Sequence, residues 1–317
     1  MKRGRGPAVV ITLFLLVMSV SAAQGSTTGQ SVQVSVLTQF DGAGPSAVAA
    51  TNTGDVVALA GPNIVRVGPG GQQRPMPVTI TGGAFGIAIG IAYDGFHQLY
   101  AALPGAFAPP PQGAGGVLRI SPNGKQTTPV PGSDGMVAAD GFGLDSSTGD
   151  MYVTDIFGNG IWRFAPGGSA ELWTSVATNP LVVLPDGVKV FDNALYTSIG
   201  GGKILKIPIN PDGSAGTAEV WAEVDEPGVF FDDMVIDDRT GDVYVTRLDT
   251  NELLQITPAG SITPIATHAD GLLGAANLTL IHVGRSTVIY LANSGIDFLG
   301  TGETGGAGPA ILKITIT

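Results

Sequence analysis

Three aspartates stand at one place in a recurring pattern: Asp140 in ADGFGLD, Asp186 in LPDGVKV and Asp232 in FDDMVID. A sixth repetition puts Asn277 at that place, in ANLTLI, and the second and first put Ile89 and Pro45 there. Carboxylate and amide oxygens, completed by water, are the ligand set of a hard divalent cation, with Ca²⁺ expected ahead of Mg²⁺ or Zn²⁺. Without a cation, three close carboxylates repel one another, and at least one should take up a proton. The same residues suit a plainer role. Short polar side chains cap the turn that leads into a strand, and Asp–Gly at two of the three sites fits that use. The two roles can coexist.

Other motifs carry less chemistry. Gly200-Gly201-Gly202-Lys203 lacks the spacing of a phosphate loop. The TGD triplets at Thr53–Asp55, Thr148–Asp150 and Thr240–Asp242 fall between adjacent strand-like runs, as hairpin turns do. Asn277-Leu278-Thr279 matches a glycosylation sequon, but it opens an inner strand and should face the channel unmodified. His97, His268 and His282 share no metal-ligand spacing and read as structural, no GxSxG nucleophile elbow is present, and there is no cysteine nucleophile because Cys is 0.

The aspartates are held in common by a repeat. Its clearest tracer is two apolar residues, a polar or basic one, then another apolar one. It occurs at Ile64–Val67, Val117–Ile120, Ile161–Phe164, Ile204–Ile207, Leu253–Ile256 and Ile311–Ile314. In four of the six copies a turn with Pro and Gly follows at once. A second apolar run precedes each tracer, as in Met151–Thr154 and Val243–Thr246. Several short strands per unit, repeated every ~40–50 residues, is the signature of a radial β architecture. The expected fold is all-β: a six-bladed β-propeller with four-stranded blades. The sixth unit ends one strand short at Thr317, and the alternating run Ser31–Phe40 precedes the first unit. The N-terminal strand should therefore complete the last blade and close the ring, removing exposed sheet edges. Two Gly/Pro-rich segments, 104–116 and 297–309, interrupt the repeat and read as loops over one face.

Composition agrees with one closed domain over residues 31–317. The 317-residue chain is 44% hydrophobic and 13% charged, with Gly 48 and Pro 22, which suits a large core with many tight turns. Residues 1–23 read as a secretory signal peptide: Lys2, Arg3 and Arg5, then the apolar Ala8–Val20, then small residues at Ser21-Ala22-Ala23. Residues 24–30 read as a flexible polar tail. The expected location is secreted, extracellular or periplasmic, with no membrane attachment after cleavage. With those three basic residues removed from the 15 Lys+Arg, 12 remain against 26 Asp+Glu, a formal charge of −14. Such a surface repels phosphate backbones and anionic lipid, which argues against nucleic-acid binding and makes a cationic ligand or a metal the easier partner.

LPDG at Leu184–Gly187 and DDMVID at Asp232–Asp237 resemble the LPNG and PDGMxxD stretches of the senescence-marker-protein/gluconolactonase family. The resemblance implies a six-bladed propeller with a channel-bound divalent cation that hydrolyses sugar lactones or related esters. It implies metal-binding roles for Asp186 and Asp232, with Asp232 also a general base. Ala139-Asp140-Gly141 falls where the family carries NDG, so the substrate-contacting Asn is Ala139 here. Gly42-Ala43-Gly44-Pro45 falls where it carries EGP, so the metal-binding Glu is Ala43. Loss of one anionic ligand weakens such a site, unless Asp140 substitutes from the neighbouring blade. Two functions remain open at this point. One is metal-assisted hydrolysis of a lactone or ester, with Asp232 or Asp140 taking a proton from water and Asp140, Asp186, Asp232 and Asn277 holding the cation. The other is a non-catalytic binding propeller of the NHL kind, since propellers host both.

Overall fold

The computed structural model describes residues 29–80, 88–94, 98–105 and 115–317. The signal-peptide stretch 1–23, most of the tail 24–30, His97 and most of the 104–116 segment lie outside the described residues. Six antiparallel four-stranded sheets make six blades. After β1 (Val32–Gln39), blade one is β2 (Pro45–Ala50), β3 (Val56–Ala60), β4 (Asn63–Val67) and β5 (Gln73–Thr79). Blade two is β6 (Gly90–Tyr93), β7 (Leu99–Leu103), β8 (Gly116–Ile120) and β9 (Thr127–Pro129). Blade three is β10 (Ala139–Leu144), β11 (Met151–Asp155), β12 (Gly160–Phe164) and β13 (Glu171–Ser175). Blade four is β14 (Pro185–Phe191), β15 (Ala194–Ile199), β16 (Lys203–Pro208) and β17 (Glu219–Glu223). Blade five is β18 (Phe231–Ile236), β19 (Val243–Arg247), β20 (Glu252–Ile256) and β21 (Ile262–Ala266). Blade six has β22 (Ala275–Val283), β23 (Ser286–Asn293) and β24 (Ala310–Ile316), with β1 as its fourth strand.

The local sequence explains each layer. Second strands are buried on both faces and read as continuous apolar runs; β3 is VVALA, buried throughout. The tracer runs are the third strands, and their polar residue points away from the core. In three blades that residue reaches the aspartate of a TGD turn: Arg66 to Asp55 at 3.4 Å, Arg163 to Asp150 at 3.9 Å, and Gln255 Nε2 to Asp242 at 2.8 Å. The TGD triplets are the hairpin turns between first and second strands, fastened to the third.

The core is not one mass but six apolar clusters, each between two neighbouring blades. Between blades three and four, for example, Tyr152, Ile161, Val188, Leu195 and Leu205 pack together. Blades five and six share Tyr244, Leu253, Leu278, Ile289 and Leu312. Each blade is thus stable only between its neighbours, as in other repeat architectures. The six first strands touch in sequence around the axis, β2 to β6, β10, β14, β18, β22 and back to β2.

Closure is made by β1, which pairs antiparallel with β24 from Val32 opposite Ile316 to Gln39 opposite Ala310. Ser31 and Thr317 exchange backbone hydrogen bonds of 2.9 and 3.0 Å, so the two ends of the propeller meet. Deleting Ser31–Phe40 should expose a sheet edge and open the ring. A truncated protein is expected to show no cooperative thermal transition by circular dichroism. An unchanged melting curve would contradict closure by this strand.

Candidate functional site

Each first strand begins at the same end of the axis, and its early residues are set by a repeated polar relay. In blade three the Gly141 N–H donates to Thr154 Oγ1 at 2.8 Å, and that hydroxyl donates to the Asp186 carbonyl of blade four at 2.5 Å. Blade four repeats it: Gly187 N–H to Ser198 Oγ at 2.8 Å, then Ser198 Oγ to the Asp232 carbonyl at 2.6 Å. In blade five Thr246 Oγ1 donates to the Ala276 carbonyl at 2.7 Å. All three hydroxyl residues are fully buried. Glycine is required where the neighbour comes close. A Cβ on Gly141 would stand 2.4 Å from the Asp186 carbonyl oxygen, and one on Gly90 would stand 2.0 Å from that of Asp140.

This scaffold brings Asp140, Asp186 and Asp232 to one cavity of about 380 Å³, which Asn277, Pro45 and Ile89 also line. The relay also shows which blade-six residue matches the aspartates, and it is Ala276. Asn277 lies one position further along, level with Gly141, Gly187 and Asp233. The register slips agree: the first strands of blades three to six shift at the same point, after Ala139, Pro185, Phe231 and Ala275, and the next residue is Asp140, Asp186, Asp232 and Ala276 in turn. Asn277 is also engaged: its Oδ1 accepts the Val48 N–H at 2.7 Å, and its Nδ2 donates to Asp233 Oδ2. Its amide oxygen joins blades six and one rather than completing a ring of ligands.

Asp233, not anticipated from the sequence, is the fourth carboxylate. It is 4% exposed and accepts from Lys189 Nζ at 3.0 Å and from the Met234 N–H at 2.7 Å. Lys189 also donates to the Phe142 carbonyl at 2.9 Å. Asp233 and Asn277 line both this cavity and a second one of about 160 Å³ further along the axis, so with Lys189 they form a polar partition between the two. The signal was present as FDD where blades three and four have Asp–Gly, but only the fold shows a side chain filling a glycine position.

The electrostatics are those of crowded like charges. Burial first, and then the charges of Asp232 and Asp233, push the Asp140 carboxyl well above the usual range. Asp186 is raised well above it by burial and by the Asp232, Asp140 and Asp233 charges. Burial and the Asp233 charge push Asp232 up to about 7, although a hydrogen bond with Asp186 works the other way. Burial raises Asp233, against the pull of Lys189. The Asp186–Asp232 contact needs a proton on one partner, and no described N–H or O–H donor serves the Asp140 carboxylate. Such oxygens suit a hard cation on Asp186 and Asp232, with Asp140 beside them. They do not form a closed cage. Among the described residues, the one trio of ligand atoms all within 4.8 Å of one another is elsewhere, at Asp237, Asp238 and His282. That trio is engaged internally: His282 Nε2 with Asp238 at 2.8 Å, Thr287 Oγ1 donating to Asp237 at 2.6 Å, and the Arg239 N–H to Asp237 at 2.8 Å.

The positions where the resemblance expected polar ligands are apolar. Ala43 lines the cavity, while Ala139 is fully buried behind it. His268 lies away from the cavity, its Nδ1 2.7 Å from the Leu272 carbonyl.

Solved structures of other proteins share this architecture. A PQQ-bound aldose sugar dehydrogenase from Streptomyces coelicolor superposes with a TM-score of 0.66 at 16% identity, covering 91% of this chain and 98% of that one. A gluconolactonase from Xanthomonas campestris gives 0.65 at 15% identity, covering 90% of each. Virginiamycin B lyase from Staphylococcus aureus gives 0.55 at 14%, covering 91% of this chain and 99% of that one. What they share is the propeller. No protein-family model matches the chain, and no curated relative matches it in sequence.

The raised carboxyls make a signed prediction. Each binds a proton more tightly in the folded chain than in the unfolded one, so its contribution is present at low pH and is lost as pH rises through the folded value. The metal-free protein should therefore lose stability between about pH 5 and pH 8, by on the order of 5 °C in Tm, the shift expected for about 2 kcal/mol in a domain of this size. Asp232→Asn should flatten that slope in differential scanning calorimetry. A Tm that climbs over this range and is indifferent to Asp232→Asn would contradict the assignment.

Proposed function

We propose that the chain is an exported, divalent-cation-dependent hydrolase of lactones or esters, acting in the axial cavity. The observation that carries this reading is the convergence of Asp140, Asp186 and Asp232 from three successive blades on one cavity. A carboxylate lining the cavity beside the reacting ester can accept a proton from attacking water and return it to the departing alkoxide. Asp186 and Asp232 would hold the cation, which supplies polarisation of the ester carbonyl and charge for the developing oxyanion. Asp232 or Asp140 takes the proton, since both line the cavity. Asp233 is fixed to Lys189 and Asn277 at the floor, where it keeps negative charge behind the reacting carboxyls. The cavity's volume suits a small molecule. The fold shared with the gluconolactonase supports the same reading, as does the LPDG/DDMVID resemblance, and an N-terminal signal peptide would place the activity outside the cytoplasm.

A non-catalytic ligand-binding propeller is the second reading, favoured by Ala43, which offers the cavity a methyl group where an anionic ligand would strengthen cation binding. The two separate in one set of measurements. Calorimetric titration with Ca²⁺ and Mg²⁺ should show binding by the wild type and at least tenfold weaker binding by Asp232→Ala. A panel of lactones and aryl esters should show turnover that falls on the order of 10²–10⁴-fold in the same variant, the range for loss of a general base. Cation binding without turnover of any member would favour the binding module, and no cation binding by the wild type would remove the hydrolase reading.

A further inference from the structure

The cavity has two unlike halves. Facing the carboxylates is an arc of Pro45, Ile89, Leu248, Ala276, Ile296 and Phe298, and neither Lys nor Arg lines the cavity among the described residues. Of its two serines, Ser46 Oγ donates to the Ala88 carbonyl at 3.4 Å, and Ser294 Oγ accepts the Ile296 N–H at 3.1 Å. Leu248 is 9% exposed and forms part of the wall. Ile296 and Phe298, 53% and 54% exposed, stand at the mouth.

Those two exposed side chains are held in place. Asp297, between them, accepts from the Thr301 and Gly302 N–H groups at 2.8 Å each, and Glu303 in the same loop accepts from Asn251 Nδ2 at 2.6 Å. The Phe298 ring lies against Gly274, where a Cβ would stand 3.1 Å from Cε2. A fixed apolar arc from wall to mouth is a surface for a hydrocarbon. Hydroxyl groups pressed against it would lose water without gaining partners, at a cost of roughly 1–3 kcal/mol each.

We infer that the site selects lactones or esters carrying an aliphatic chain, with the polar ring at the carboxylates and the chain along Pro45, Leu248, Ile296 and Phe298, in preference to polyhydroxylated sugar lactones. This rests on the hydrolase reading for its reaction but not for its ligand class. The volume of about 380 Å³ is in the range of small-molecule sites and admits a six-membered lactone with a short aliphatic tail.

The test uses the full chain with Ca²⁺ present. δ-Decalactone and glucono-δ-lactone share the same ring and differ in decoration. The expected ratio of kcat/KM favours δ-decalactone by at least tenfold, since each buried methylene contributes about fourfold. Ile296→Ser with Phe298→Ser should reduce that ratio about tenfold. Both residues are exposed, so an unchanged melting curve should accompany the loss. The unreactive lactams of the same two compounds, titrated by calorimetry, separate ligand class from catalysis. If no lactone is opened but the pentyl lactam binds and the sugar lactam does not, the hydrolase reading fails and the ligand class stands. A preference for the sugar compound in either assay, binding of neither lactam, or a ratio indifferent to the double variant overturns the inference.

Discussion

A buried hydroxyl grips the backbone carbonyl of a residue in the next blade, and the rest of the structure depends on that contact. Thr154 holds Asp186, Ser198 holds Asp232, and Thr246 holds Ala276. Glycines at the start of the first strands let the backbones come close enough for it. The carboxylates are therefore fixed at their Cα atoms before any question of charge arises. Their mutual repulsion cannot be relieved by spreading the ring, because each blade is locked by apolar clusters on both sides and the ring is closed by β1. It must be met by protons or by a cation.

The charge distribution follows from that restraint. Four carboxylates share the axial region, and one ammonium, on Lys189, reaches one of them. Asp233 is thus a paired group, bonded on three sides and structural in character, whereas Asp140, Asp186 and Asp232 lack comparable donors. A fold selected only for stability would not retain three uncompensated carboxyls around one cavity, with Asp186 buried and Asp140 and Asp232 half-buried. Their placement in a cavity of ligand size, beside a wall that is apolar, is the arrangement expected where strain is kept for binding or reaction. The two halves of the cavity have separate roles. On the proposed function, the acidic half would handle charge and protons, and the apolar half whatever the ligand carries away from its reacting group.

Much of this was legible in the sequence because the repeat is. The tracer runs became the third strands, the run Ser31–Phe40 became the closing strand, and the three aspartates came to one cavity because equivalent positions in a ring are neighbours. Pro45 and Ile89 were likewise visible as the apolar side of the circle. What escaped depends on contacts between blades or on single-residue slips. Asn277 was placed one residue off because Ala276, at the equivalent position, has no polar side chain to mark it, and the neighbouring amide took its place in the pattern. Asp233 and Lys189 meet across blades five and four, and Asp237, Asp238 and His282 across blades five and six, with no spacing along the chain to announce either group. Leu248, Ile296 and Phe298 come from loops, which carry no periodicity.

The central claim, that fixed backbones force like charges together at the axis, is tested most directly by carbon-13 NMR of the aspartate side-chain carboxyls, titrated in cation-free buffer. At least one carboxyl should titrate near pH 7, and that titration should be lost on Asp232→Asn. A full set of aspartates titrating below pH 5 would contradict it.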